Sequence, residues 1–275
     1  MMSMPPTSAF CAPDSTPDSS SPEPPALPGA VCAIHQPNLF PRLSTLAKLY
    51  AADRWIVLDD VQFARRDYQH RARLASLSEP RARQWLSLST HLPRGRSTLI
   101  LEARLTEPRR CRRRVAALVR QHYGRSHHWH AVHEVLEPVL DHFGTTDRTA
   151  DITETSALAL LSSLGWRGEV LRSSALPARD GRSQRLADLA AATGSTVYLC
   201  GTGGMRYLEV EPFTEHRIAV VPFRTPAVTP VWQFAREVSA LWALASIGPS
   251  SLAAALHRVA SAQQQTVRTR QRAFR

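Results

Sequence analysis

The first recognisable pattern along the chain is two short apolar runs separated by a helical repeat. Residues 30–34 are apolar and end at a polar tetrapeptide, apolar residues then recur at helical spacing within 43–50, and residues 55–58 form the second run. Short apolar runs bounded by polar groups are typical of buried strands, whereas a repeat of three and four residues is typical of a helix. The pattern predicts a strand, a helix and a second strand.

Strands and then helices are predicted for the middle of the chain. Residues 85–88 and 97–101 are predicted to be strands joined by a turn that contains Pro93 and Gly95. Three stretches with apolar positions at helical spacing follow, at 107–121, 130–142 and 153–164. A further strand is predicted at 169–171.

The last third of the chain continues this alternation. Its predicted elements are a helix at 183–192, strands at 196–199 and 216–222, and helices at 235–245 and 251–260. A tight glycine-rich loop is predicted at 201–204, and Gly248 and Pro249 separate the last two helices. The mixture indicates an α/β or α+β fold with a single mixed sheet flanked by helices and a helical block in the middle of the chain.

Composition divides the chain into three parts. Residues 1–29 are rich in serine and proline and contain neither lysine nor arginine, so we expect a disordered leader rather than a secretory signal. Residues 30–262 are expected to form one compact domain, and residues 263–275 a basic, frayed tail. No stretch approaches the roughly 18 consecutive apolar residues of a membrane helix, so no membrane contact is expected.

Charge indicates the kind of partner, and cysteine usage indicates the cellular compartment. The net charge is +11 and comes almost wholly from arginine, whose planar fork binds phosphates and carboxylates, so anionic partners are expected. The four cysteines form no CxxC pair, which favours a reducing compartment. The cytoplasm is the expected location.

One candidate site lies at residues 59–73, where two aspartates follow an apolar run and four arginines come next. Neighbouring carboxylates raise each other's pKa and nearby arginines lower it, so the segment has the residue types of a tuned site. An ionic turn on the surface would have the same sequence. The polar residues of interest are Asp59, Asp60, Gln62, Arg66, Gln69, Arg71 and Arg73.

A second candidate site is the tetrapeptide His35, Gln36, Pro37 and Asn38 at the end of the first predicted strand. An imidazole beside two amides is a common way to present a base together with its orienting hydrogen bonds. A histidine that is merely hydrogen-bonded is the alternative.

These two segments resemble the paired signature of the WbqC-like family. The resemblance includes Pro41 and Lys48, and it continues at lower specificity to about residue 256. The chain departs from the family pattern at Arg42, Tyr68 and His70, where an aromatic residue, tryptophan and asparagine are frequent. The resemblance implies an enzyme that attaches acyl or aminoacyl groups to amines in polysaccharide or secondary-metabolite biosynthesis.

Cys200 precedes the glycine-rich loop at the end of a predicted strand. An exposed thiolate beside backbone N–H groups that form an anion-binding nest would be able to carry an acyl thioester. The alternative is a buried structural cysteine, which is the commoner environment of this residue. The loop lacks the GxxxxGK[ST] spacing of a P-loop.

Two further clusters carry metal-ligating or charged groups. Histidines at 127–133 share a helical stretch, but no third ligand follows at zinc spacing, so neither a metal nor another cofactor is expected. Five arginines at the start of the first middle helix form either a solvated face or a surface that binds an anionic macromolecule. They are Arg109, Arg110, Arg112, Arg113 and Arg114.

Together with the acyl transfer that the resemblance implies, these features favour an aminoacyltransferase that moves an amino acid, with serine or glycine as candidates, from aminoacyl-tRNA to a small amine, hydroxylamine or amino sugar. The catalytic candidates are His35, Asp60 and Gln62, with His35 or Asp60 as the base. The substrate-binding candidates are Gln36, Asn38, Asp59, Arg66, Gln69, Arg71 and Arg73.

Two alternative functions stay open at the level of sequence. The first is an acyltransferase whose donor is a thioester on an acidic carrier protein, with Cys200 as a nucleophile or with direct attack by the amine. The second is a basic nucleic-acid-binding or scaffold protein without catalytic turnover.

Overall fold

The computed structural model describes residues 30–226 and 230–273, with side chains to residue 270. The strands in chain order are β1 (Ala30–His35), β2 (Arg54–Val57), β3 (Arg71–Ala75), β4 (Arg83–Ser87), β5 (Thr90–His91), β6 (Arg104–Leu105), β7 (Glu169–Arg172), β8 (Ser195–Gly201) and β9 (Ala219–Phe223). The helices are α1 (Leu43–Tyr50), α2 (Pro108–Tyr123), α3 (Trp129–His142), α4 (Thr149–Ser163), α5 (Arg182–Ala192), α6 (Glu211–Glu215) and α7 (Ala240–Ala273). The leader predicted at 1–29 lies outside the described residues.

The centre of the fold is a five-stranded parallel sheet in the order β7-β2-β1-β8-β9. Side chains of each strand alternate between its two faces, so Ala33 packs with α1, α4 and α7, whereas Cys32 and Ile34 pack with α5 and α6. Helices cover both faces, as parallel sheets require. The α/β prediction is confirmed, and among the described residues the antiparallel ladders form two separate ribbons, β3–β4 and β5–β6.

The strand order reverses direction beside β1. The chain leaves β1 through α1 to pair β2 on one side, and it later returns through α5 to place β8 on the other side. Two connections that leave in opposite directions open a crevice at the carboxyl ends of the two central strands, and ligands bind there in open α/β sheets. His35 ends β1 and Gly201 ends β8, so both lie at this crevice.

The β3–β4 ribbon has one buried and one outward face. Ala72, Leu74 and Leu86 are fully buried on the inner face. Arg73 pairs directly with Trp85 on the outer face, where both are partly exposed. Strand β3 is not among the predicted strands, because arginines at alternate positions interrupt any apolar run within 71–75.

Two predicted elements differ in the structure. Residues 97–101, predicted to be a strand, belong to two short 3-10 turns, Gly95–Ser97 and Ile100–Glu102, in which the Glu102 carboxylate accepts the N–H of Leu99 at 2.8 Å. A carboxylate that caps the backbone in this way favours a turn over a strand. The tail expected to fray from residue 263 is instead helical through Ala273.

Helix α7 is broken where the sequence predicts it. Gly248 has φ 78° and ψ 167°, a conformation essentially restricted to glycine.

Within the described residues one helix, Ala240–Arg270, is long and apolar enough by composition to cross a membrane, and 56% of its most apolar window is buried inside the fold. That burial is typical of a helix that packs in a protein core.

Candidate functional site

A cavity of about 430 Å³ opens at the carboxyl ends of β1, β8 and β9, and we call it the switch-point cavity. Its volume lies in the range of small-molecule sites. Its described lining carries arginine, lysine, histidine and hydroxyl groups and no carboxylate. The lining residues are Ile34, His35, Arg42, Ser44, Thr45, Lys48, Tyr198, Gly201, Thr202, Gly203, Gly204, Phe223, Thr225 and Arg236.

His35 is fixed at both ring nitrogens. Its Nε2 lies 3.1 Å from Asn38 Oδ1, and its Nδ1 lies 3.4 Å from Lys48 Nζ. An amide oxygen only accepts, so the ring proton is assigned to Nε2 and the Nδ1 lone pair faces Lys48. Burial, followed by the positive charges of Lys48 and Arg42, holds the pKa of His35 well below its usual value. His35 is therefore a neutral imidazole at physiological pH.

Lys48 lies on α1 and lines the cavity. The Nζ atom donates to the carbonyl of Ile34 at 3.2 Å, and the side chain is buried. Burial lowers the pKa of Lys48 from 10.5 to about 8, so about a tenth of it is a neutral amine at pH 7. At the level of sequence Lys48 entered only through the family resemblance; the missed signal was that the only lysine of the chain falls within this predicted helix.

The loop at 36–42 is held rigidly against the core. Phe40 is buried with φ 38°, an unusual conformation for a bulky residue, and its N–H donates to Ser156 Oγ at 2.8 Å. The N–H of Leu39 donates to the carbonyl of Tyr68 at 3.1 Å. These anchors fix Asn38 next to His35 and Arg42 at the cavity mouth.

The mouth of the cavity is cationic on one side and glycine-rich on the other. Arg42 donates to the carbonyl of Arg236 at 3.1 Å and lies over the ring of Tyr68, 4.0 Å from its centroid. Across the opening, a Cβ on Gly201 or Gly203 would meet nothing within 4 Å, so the loop leaves its backbone open to a ligand. Thr202, between these two glycines, is exposed.

The two aspartates of the 59–73 segment lie outside the described lining of this cavity. Asp59 is buried and accepts from Ser174 N at 3.0 Å and Ser174 Oγ at 2.8 Å. Asp60 accepts from Ser173 Oγ at 2.6 Å and pairs with Arg185 of α5. These contacts join the ends of β2, β7 and α5 beside the cavity.

The amides and arginines of the two sequence motifs divide between three places. Asn38 contacts His35, which lines the cavity. Gln69 is buried and donates to Gln36 Oε1 at 2.8 Å. Gln62 is exposed and donates to the carbonyl of Arg96 at 2.5 Å. Arg66 is exposed on the turn before β3.

Arg71 and Arg73 both stack on Trp85. Their guanidinium carbons lie 4.2 and 4.5 Å from the ring centroid. Arg71 also donates to the carbonyls of Asp67, at 3.1 Å, and Arg66. Arg71 and Arg73 thus lie on the β3–β4 ribbon rather than in the cavity. Tyr68 and Arg42 lie between them and the cavity mouth.

Cys200 is buried, and its thiol contacts the carbonyl of Gly201 at 3.5 Å. Burial raises the pKa of this thiol, an effect that the charge of Lys48 opposes. A Cβ on Gly204 would lie 2.9 Å from the sulfur, so the glycine-rich loop covers it. A thiol in this environment is mostly protonated.

The arginines of α2 are exposed at its first turns. Arg110 pairs with Glu107 at 3.0 Å, and Arg112 donates to the carbonyl of Leu140 at 3.0 Å. Arg109, Arg113 and Arg114 are also exposed. Within the described part of the chain, no group of three or more His, Cys, Asp and Glu side chains is placed to hold a metal ion.

Comparison with known proteins shows that the chain matches the model of the WbqC-like protein family over residues 36–254. The matched range begins beside His35 and includes α1, the glycine-rich loop and both central connections, so it contains nearly the whole site. No curated protein and no solved structure matches the chain. Because the family model covers most of the sequence, the chain belongs to the WbqC-like protein family.

Proposed function

We propose that the chain is an aminoacyltransferase that moves an amino acid from aminoacyl-tRNA to a small amine, hydroxylamine or amino sugar. The observation that carries this proposal is the pairing, in one cationic cavity, of Lys48, whose pKa is lowered to about 8, with a neutral His35. Acyl transfer from an activated ester needs positioning, proton transfer and oxyanion stabilisation, and it needs no cofactor.

The proposed reaction uses Lys48 as the proton carrier. The acceptor nitrogen forms a bond with the ester carbonyl carbon, and its proton passes to the neutral Lys48 amine. The bond from carbon to the ribose oxygen then breaks, and the resulting Lys48 ammonium returns the proton to that oxygen. His35 orients the amine through Nδ1, and Asn38 fixes the imidazole.

The cavity lining supports binding of the two substrates. Arg42 and Arg236 are placed at the mouth, where guanidinium groups bind phosphate or carboxylate oxygens. The backbone at 201–203, which is open at Gly201 and Gly203, supplies N–H donors for the oxyanion in this proposal. The exposed arginines of α2 would contact the tRNA body without reading its sequence.

The burial of Cys200 supports direct attack by the acceptor over a covalent acyl-cysteine. Its raised thiol pKa and its cover of glycine-rich loop both oppose nucleophilic attack. A Cys200→Ser variant is therefore expected to keep most of the activity. A carrier-protein thioester attacked directly by the amine would use the same Lys48 and His35, so the donor has to be identified by experiment.

The test is transfer of radiolabelled amino acids from a pool of charged tRNA to a panel of amines, hydroxylamines and amino sugars. We expect product that disappears after RNase treatment and falls at least 100-fold in Lys48→Met. The matched control is Arg167→Ala, which removes one exposed positive charge at the amino end of the sheet. Transfer only from a loaded carrier protein, or no dependence on Lys48, would overturn the proposal.

A further inference from the structure

The outer face of the β3–β4 ribbon and the neighbouring loops that carry Arg42 and Tyr68 form an array of arginines and aromatic rings, which we call the arginine–aromatic stack. Arg42 lies 4.0 Å from the centroid of Tyr68, whose ring centre is 5.5 Å from that of Trp85. Arg71 and Arg73 lie over Trp85 at 4.2 and 4.5 Å. Each of the five side chains is partly exposed.

The stack begins at the mouth of the switch-point cavity. Arg42 belongs to both, since it lines the cavity and covers Tyr68. The Arg73 carbonyl accepts the N–H of Ser239, close to Arg236 of the cavity lining. A ligand leaving the cavity past Arg42 therefore meets Tyr68 and then Trp85.

The stack lies on the face of the ribbon opposite the one that packs in the core. The inner face of the ribbon already buries Ala72, Leu74 and Leu86 completely. Trp85 and its arginines lie on the opposite face, where Ala75 is buried opposite Arg83 but the side chains of the stack stay partly exposed. A tryptophan and a tyrosine kept partly exposed among guanidinium groups indicate a surface that binds something.

The charge of the stack identifies an anionic partner with flat groups. Arg42, Arg71, Arg73 and the neighbouring Arg83 are only partly offset by two carboxylates. Glu237 pairs with Arg73 at 3.7 Å and with Arg83, and Asp67 accepts the N–H of Tyr68 at 2.7 Å. Aromatic rings on which bases stack, set among arginines that bind phosphates, are the usual means of holding unpaired nucleotides.

We infer that the arginine–aromatic stack binds the unpaired 3′ nucleotides of the tRNA donor, with bases stacked on the guanidinium planes that Trp85 and Tyr68 support and phosphates at the edges of Arg71 and Arg73. This inference rests on the proposed function, because it takes RNA as the donor. It places the terminal ester at Arg42, where the cavity begins. The stack would thereby direct the charged end of the RNA toward Lys48.

The experiment measures binding of uncharged RNA, so it does not depend on transfer. Fluorescence anisotropy compares a hairpin that has a four-nucleotide 3′ overhang with the same hairpin ended blunt. We expect the wild-type protein to prefer the overhang, and Trp85→Ala to weaken overhang binding about 10-fold, in line with the loss of one stacked base. Blunt-hairpin affinity is expected to stay unchanged.

Further variants separate stacking from charge and from folding. Trp85→Phe keeps a ring and should retain most of the preference, whereas Arg73→Gln should reduce it. Gln84→Ala changes the neighbouring residue on the opposite face of the ribbon, and Arg167→Ala removes a distant charge; both should bind like the wild type. Thermal melting of each variant checks that it is folded.

Equal wild-type affinity for the two hairpins, no binding of either, or a folded Trp85→Ala protein within twofold of wild type for the overhang would overturn the inference. Overhang preference without amino acid transfer from any charged tRNA would leave the stack as an RNA site and remove the proposed function. Amino acid transfer that is unchanged in Trp85→Ala would leave the proposed function in place and remove the stack as an RNA site.

Discussion

At the scale of single residues, the choice between lysine and arginine is the most informative feature of the site. Lys48 is the only lysine in a chain that has 34 basic residues of these two types. Arginine stays protonated at any physiological pH, so only a lysine can exchange a proton in this buried place. The position is therefore suited to proton transfer as well as to attraction of anions.

A single lysine makes its titration directly observable. In protein carrying ¹³Cε-labelled lysine, the one lysine resonance should titrate with a midpoint near 8, because burial disfavours the ammonium. Lys48→Met lacks the resonance and so confirms the assignment. A midpoint near the ordinary value of 10.5 would contradict the environment described for Lys48.

The same pKa shift predicts a pH dependence of stability. Between pH 8 and 10.5 the unfolded chain keeps the Lys48 proton that the folded protein has lost, so stability rises with pH in this window. A shift from 10.5 to about 8 corresponds to ~3 kcal/mol. Urea unfolding of wild type and Lys48→Met across this window should give a difference that changes by about that amount. A constant difference would argue against the shift.

At the scale of elements, the site depends on short irregular segments that set the direction of the neighbouring helices and side chains. The loop at 36–42 carries a left-handed Phe40 and aims Arg42 at the cavity, and the break at Gly248 turns α7. Both segments have backbone conformations that cost energy in most residues. Packing of Phe40 and of the two halves of α7 stabilises them.

The break in α7 can be tested with a matched pair of glycines. A Cβ on Gly248 would lie 2.6 Å from the His128 ring, whereas Gly165 also has positive φ but open space around it. Gly248→Ala should therefore reduce the free energy of unfolding by about 2 kcal/mol or more, and Gly165→Ala by about 1 kcal/mol. Chemical denaturation measures both changes. Equal losses of unfolding free energy in the two variants would show that the contact with His128 does not affect stability.

The elements predicted from hydrophobic patterning were mostly those that pack in the core. β1, α1, β2 and β8 follow from apolar runs and helical repeats because their sequence neighbours decide their burial. β3 was missed, because its outer positions are arginines that cover an aromatic ring rather than face water. Residues 97–101 were assigned to a strand, because the capping contact of Glu102 is invisible in the apolar pattern.

The candidate site was only partly predictable for a related reason. His35 and Asn38 end a strand, and sequence suffices to bring them together. Lys48 joins them only because α1 folds back across β1, and the two aspartates turn toward Ser173 and Ser174 at the end of a strand more than 100 residues away in the chain. Such contacts depend on strand order, which no local pattern encodes.

At the scale of the whole molecule, positive charge is spread over surfaces that lie apart from the cavity. The exposed arginines of α2 are sequence-independent phosphate contacts in the proposed function, whereas Trp85 is a stacking contact. Changing Arg109, Arg113 and Arg114 to glutamine should lower the slope of log affinity against log salt by about 1 for each phosphate that is no longer neutralised. Trp85→Ala should weaken binding without changing the slope. Anisotropy titrations at a series of salt concentrations separate the two effects, and an unchanged slope in the triple variant would exclude α2 from the RNA surface.

The strand order also determines how long β1 waits for its partner strand while the chain is being synthesised. β1 is the central strand, yet its neighbour β8 begins only at Ser195. A ribosome that adds about 5–20 residues per second leaves that edge of β1 without its partner for roughly 8–30 seconds. During that time the nascent chain carries an open strand edge, which attracts other chains and is a target for chaperones. Yield in a heterologous host should therefore depend on translation speed and chaperone supply more than on the stability of the finished protein.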